Sequence, residues 1–245
     1  MNLGQGLAFV FSESWAFWRK GWWLALIPTL PMTVYDFFAS QIPDASADLA
    51  YWSQIVAEAM LTVAVGYPVI RFIALNRDMT EALTISRASA RTFAPYLISM
   101  TLIEVALAAW SDHDVSGKAT LAQAIVAVLL VILTAPWSVT APSGSTVVGP
   151  TRSATLTAPS LFWAILLMTI AFIPISLVGL VTGLLVAKLP DIEIGAYALS
   201  NLASLAAFTV TLSFALVMSC AVAFAVGHRV GVRIDRTDKL AAHFE

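Results

Sequence analysis

Residues 160–187 read "SLFWAILLMTIAFIPISLVGLVTGLLVA", without one charged side chain. Wound as a helix rising 1.5 Å per residue, such a stretch crosses the ~30 Å hydrocarbon layer of a bilayer. The rest of the chain agrees. Of its 245 residues, 59% are hydrophobic and only 11% charged, against about 25% charged in an ordinary globular domain, and the mean hydropathy is +0.84. These numbers describe an all-α, polytopic membrane protein.

Further apolar segments fall at 22–39, 50–75, 94–111, 119–141 and 196–227. Six transmembrane helices are therefore expected, arranged as three hairpins in a single membrane domain over 1–245. The segments 22–39 and 94–111 are short, whereas 50–75, 160–187 and 196–227 are long enough to tilt or bend. Pro28, Pro31, Pro68, Pro136 and Pro174 lie inside segments, where each removes a backbone donor and favours a kink.

Charge sets the expected orientation. With the amino terminus inside, eleven lysines and arginines (Arg19, Lys20, Arg71, Arg77, Arg87, Arg91, Arg152, Arg229, Arg233, Arg236 and Lys239) fall on the inner side. Only Lys118 and Lys188 fall outside. That asymmetry predicts cytoplasmic termini in a bacterial inner membrane. The stretch "SESWAFWRKGWW" (12–23) supplies Trp15, Trp18, Trp22 and Trp23 as interface anchors, since indole rings favour headgroup depth. The amino terminus lacks an early basic region and carries Glu13, so it does not read as a signal peptide.

The inner loops share a pattern. Aligning "SRASARTFAPYLISM" (86–100) with "GPTRSATLTAPSLFWAIL" (149–166) on Ala-Pro places Ser89 over Ser153 and Pro95 over Pro159; the same frame places Gly21 over the prolines. Each copy reads as a short interfacial helix on the cytoplasmic side, a break, and then a pair of spans. The repeats would cover 1–75, 76–141 and 142–228, with a tail over 229–245. This layout, with "SWAFWRKGWW", "ARTFAPYL" and "SATLTAPSLFW" leading into spans, resembles the bacterial six-helix membrane domain attached to some glycerophosphodiester phosphodiesterases. The resemblance implies an inner-membrane protein assisting lipid handling or a partner protein. The soluble catalytic barrel of such fusions has no counterpart here, so no catalysis is carried over.

Two carboxylates, Glu58 and Glu104, lie within apolar segments. Acidic groups in hydrocarbon are costly and mark functional positions. A proton path, a headgroup niche and a cation site all suit them, as does a structural role against a neighbouring hydroxyl. Asn201 is a third intramembrane polar candidate, as packing glue or as part of a polar wall. Arg19, Lys20, Arg71, Arg77, Arg87, Arg91 and Arg152 suit anionic lipid headgroups, or serve only as inner-side charges. Small residues in 196–227, and Gly179 with Gly183, suit close helix packing.

Enzyme chemistry finds little support. There is no HExxH, no Ser-His-Asp set at membrane depth and no phosphate loop, since "APSGSTVVGPTRS" (141–153) lacks the required lysine. Asp112, His113 and Asp114 are metal-capable but consecutive, which makes convergence on one ion awkward. Cys220 stands alone, so neither an intrachain disulfide nor a multi-cysteine metal site arises. No metal or other cofactor is expected. The expected partners are membrane lipids and another membrane protein, not nucleic acid. A non-enzymatic scaffold, accessory subunit or lipid-associated module is the leading expectation. The alternative is a small transporter or channel with a polar path near Glu104 and Glu58.

Overall fold

The computed structural model describes residues 1–38, 43–112, 118–143, 147–189, 193–194 and 197–232. His113, Asp114 and the tail from 233 onward lie outside the described residues. Among those described are helices α1 (Leu3–Leu26), α2 (Leu30–Phe38), α3 (Asp44–Ala74), α4 (Met79–Leu83), α5 (Arg87–Asp112) and α6 (Lys118–Leu133). The order continues through α7 (Ala135–Thr140), α8 (Pro150–Thr157), α9 (Leu161–Val186) and α10 (Leu199–Arg229). A two-residue antiparallel pairing, Glu193–Ile194 with Tyr197–Ala198, precedes α10.

The chain is a multi-pass membrane protein, but the expected six spans in three hairpins are corrected. Among the described residues, four helices are long and apolar enough to cross a bilayer: Ser46–Ala74, Arg87–Trp110, Pro150–Val186 and Ser200–Arg229. A fifth crossing results only if the bent pair Ala122–Leu133 and Ala135–Ser143 counts as one span. The segment 22–39 fails for local reasons. Gly21 leaves helical geometry (φ −128°, ψ 21°), Ile27–Thr29 tightens into a 3-10 turn, and α2 resumes for only nine residues. Before Gly21, α1 carries Glu13, Arg19 and Lys20, too polar for hydrocarbon. Gly21 also permits a close approach: a Cβ there would sit 2.5 Å from Met79 Cε and 2.9 Å from Phe17 Cζ. At the other two expected breaks the outcomes differ. Ala158–Ser160 forms a 3-10 turn between α8 and α9, whereas α5 runs through Pro95.

The break between α6 and α7 bends the chain by 52°. Pro136 brings no N–H, and the regular bond from Trp137 to Leu133 is not made. The hydroxyl of Ser153, from α8, takes its place. It accepts from the Trp137 N–H at 3.2 Å and donates to the Leu133 carbonyl at 2.7 Å. Ser153 is fully buried. A side chain inserted into the helix ladder is one of the recognised physical causes of a kink. Ser89, aligned with Ser153 in the sequence, is buried as well and hydrogen-bonds Tyr67 of α3 at 2.8 Å.

The core gathers around the carboxyl-terminal half of α10, where α1, α3, α7 and α9 meet. Here α1 runs antiparallel to α10: Phe9 stacks on Phe224, Trp18 on Phe214 with centroids 3.9 Å apart, and Arg229 donates to the Met1 carbonyl. Phe17 and Phe72, both fully buried, meet edge to face at 5.3 Å. Inside a bilayer these contacts cohere by dispersion and hydrogen bonding, because lipid solvates apolar side chains as well as a protein core does. That is why Leu177, Val181 and Leu185 remain exposed on α9 without needing cover.

Ser153→Ala would orphan two buried backbone groups, each worth about 1–3 kcal/mol. A clear drop in the thermal unfolding midpoint in detergent is expected, with little change for Thr155→Ala on the exposed face of α8. Equal midpoints for Ser153→Ala and the wild type would contradict the relay.

Candidate functional site

Glu58 and Glu104 come together on the wall of one cavity. α3 begins at Asp44 and ends at Ala74, so Glu58 stands near its middle, roughly 21 Å from its first residue at 1.5 Å per residue. Glu104 sits in the second half of α5. The cavity is partly open, holds about 370 Å³, and lies between α3, α5 and α10. Ala25, Pro28 and Thr29 approach from the α1–α2 break, and Val131 and Ser138 from either side of the α6–α7 bend. Both broken helices thus contribute to the wall. An uninterrupted helix at either place would present different residues.

The wall is mostly apolar, through Val63, Ile70, Met100, Leu212 and Leu216 among others. Its polar groups are the two carboxylates, the hydroxyls of Thr29, Thr62, Tyr96, Ser138, Ser213 and Ser219, and the Cys220 thiol. The Glu58 carboxylate accepts from the Gln54 amide at 2.7 Å. No hydrogen bond to the Glu104 carboxylate is found among the described residues. Tyr96 packs edge-on against Trp137 at 5.1 Å. No lysine, arginine or histidine is among the residues lining this cavity.

Asn201 lies elsewhere, in a groove between α9 and α10 with Gly179 and Gly183. The basic candidates divide into two groups. Arg71 donates to the carbonyls of Pro142 (3.1 Å) and Glu81 (3.3 Å) and lies over the Tyr67 ring, tying α3 to α4 and to the turn after α7. Arg77 makes a forked ion pair with Glu13 of α1 (2.8 and 3.1 Å) and also donates to Ser12. The Lys20 ammonium holds the Arg77 carbonyl at 2.9 Å. This grip from α1 falls on a strained turn, since Asn76 and Arg77 both have left-handed backbones (φ 55° and 66°). Hydrogen bonding to Glu13, then its charge, raises the Arg77 pKa further above its usual value. Arg19, Arg87, Arg91 and Arg152 are exposed. Among the tryptophans, Trp15, Trp22 and Trp23 are exposed, while Trp18 is packed on Phe214.

Sequence reasoning did not single out Tyr96, Thr62, Ser138, Ser213 or Ser219 for the cavity. Serines and threonines in apolar helices usually bond their own backbone, so composition alone does not separate a wall position from any other. Among the described residues, no three His, Cys, Asp or Glu side chains gather to hold a metal ion. The chain matches no protein-family model, no curated protein and no solved structure.

Arg71→Met is expected to lower stability by about 2 kcal/mol, by leaving carbonyls without their donor. Arg77→Ala should cost about 1 kcal/mol, because that guanidinium is 43% exposed and water screens it. Alanine at Arg87 or Arg91 should change stability by less than about 0.5 kcal/mol. Thermal unfolding in detergent measures all four; equal effects across the set would refute the division.

Proposed function

We propose that this chain is a solute-binding protein of the transporter class in a bacterial inner membrane, not a passive scaffold. One observation carries the reading: carboxylates from two different helices stand on the wall of a single cavity near the middle of the bundle. A helix assembly needing only to pack would favour apolar or small residues there, because carboxylates in hydrocarbon are costly. Neighbouring hydroxyls make the same wall still more polar. Packing defects alone give apolar, dry cavities.

In this proposal both termini are cytoplasmic, which the excess of lysine and arginine at that side supports. The exposed Arg19, Arg87, Arg91 and Arg152 then contact anionic headgroups there, whereas Lys20, Arg71 and Arg77 hold the bundle's own backbone and side chains.

Occupancy is testable by filling the space. Gly66 lines the cavity, and a Cβ there would lie an ordinary 3.8 Å from Cys220 Sγ, so a larger side chain extends into the void. In a thermal-shift screen of small amphiphiles on the purified chain, a ligand at about 100 times its Kd should add about 2.7 kcal/mol of stability. Gly66→Leu should abolish that gain. Failure of every compound to stabilise the wild type, or stabilisation unchanged in Gly66→Leu, would sink the reading.

Orientation has its own check. Cysteines placed at Lys188 and at Arg152, at the two ends of one span, should label from outside intact cells and not label, respectively. The native Cys220 is replaced by serine in both variants, so that only the introduced thiol is read. The reverse pattern would overturn the proposed topology.

A further inference from the structure

We infer that the cavity selects a small amphiphilic ammonium ion, a primary amine carrying a compact apolar body. This deepens the proposed function and rests on it. The inference comes from counting donors and acceptors on the wall. Thr29 donates its hydroxyl proton to the Leu26 carbonyl (2.8 Å), Ser138 to Ala135 (2.9 Å), Ser213 to Thr209 (2.7 Å) and Ser219 to Ala215 (2.8 Å). A hydroxyl has one proton. With that proton directed to its own helix, each of these groups offers any other partner only lone pairs.

The Tyr96 phenol also stands on the wall and carries one proton. A cation in the cavity favours the ionised forms of Glu58 and Glu104, in which each carboxylate is an acceptor only. The wall is therefore richer in acceptors than in donors; the Tyr96 and Thr62 hydroxyls and the weak thiol donor of Cys220 are the ones not already committed among its described residues. Cys220 is 8% exposed and makes no hydrogen bond there. A ligand complementary to this surface must bring donors and positive charge, and an ammonium group brings three N–H donors and one charge.

Alternatives fit less well. An anion, or the phosphate of a zwitterionic headgroup, would meet lone pairs and carboxylates with no cation to receive it. A bare metal ion would find no cluster of three acidic, histidine or cysteine ligands among the described residues and would leave the apolar wall unused. About 370 Å³ lined by Val63, Ile70, Met100 and Leu216 suits an aromatic or short aliphatic body beside the charged head.

Three near-isosteric probes decide it: 2-phenylethylammonium, 2-phenylethanol and phenylacetate, titrated calorimetrically into the full chain in neutral detergent at pH 7. The ammonium should bind at least ten-fold tighter than the alcohol, and phenylacetate weakest. Glu104→Gln should remove most of the ammonium's advantage without changing the alcohol's affinity. Glu58→Gln serves if Glu104→Gln does not fold, and the wild-type comparison stands without either. Alcohol or phenylacetate binding as tightly as the ammonium would overturn the inference while leaving the cavity a ligand site. Binding of none of the three would overturn the inference and count against the proposed function as well.

Discussion

A backbone inside a bilayer has no water to complete its hydrogen bonds, so each interruption of a helix must be repaired by the protein itself. The Ser153 hydroxyl does this for the α6–α7 break, bridging the Trp137 N–H and the Leu133 carbonyl. The 52° turn thus becomes a fixed feature. It carries Trp137 against Tyr96 and brings Ser138 to the cavity wall. On the opposite side, the break after Gly21 brings Pro28 and Thr29 to the same wall. The cavity is what remains where two interrupted helices pass beside three continuous ones.

A second constraint operates at the arginine-rich end. The turn after α3 places two non-glycine residues in left-handed conformations, a costly arrangement that needs outside support. Glu13, Ser12 and Lys20 of α1 supply it by gripping Arg77 at its side chain and its carbonyl. The polar face of α1 is thereby matched to the loop it meets, while its apolar residues pack along α10. Its charges bind protein where the sequence alone suggested lipid for Arg77 and Lys20.

How much of this was legible in the sequence follows from which signals are local. Long apolar runs disclose α3, α5, α9 and α10 because span length is a property of consecutive residues. The break at Gly21 is local too. The number of spans was not legible: apolar content over 22–39 looks like a span, yet the break at Gly21 just before it and the 3-10 turn at Ile27–Thr29 leave helical pieces too short to cross alone. Arg71 reads as an inner-side charge, and only the fold shows the carbonyls of Pro142 and Glu81 around it. Glu58 and Glu104 stand out as carboxylates in apolar runs, but their convergence depends on how α3 and α5 are rotated about their axes. Asn201, equally conspicuous in sequence, faces a different groove. The hydroxyls of Ser213 and Ser219 gave no signal, because their role depends on what α10 packs against.

The chain's single cysteine lines this cavity, which makes it a reporter of what the cavity admits. The most direct measurement compares the rates at which Cys220 of the detergent-purified protein is modified by cationic 2-aminoethyl methanethiosulfonate and by its anionic 2-sulfonatoethyl counterpart, read by intact mass. An acceptor-lined cavity open to small cations predicts much faster reaction with the cationic reagent, slowed further when 2-phenylethylammonium is present. Equal rates for the two reagents after correction for their reactivity with a free thiol, or no reaction of the folded protein with either, would contradict it.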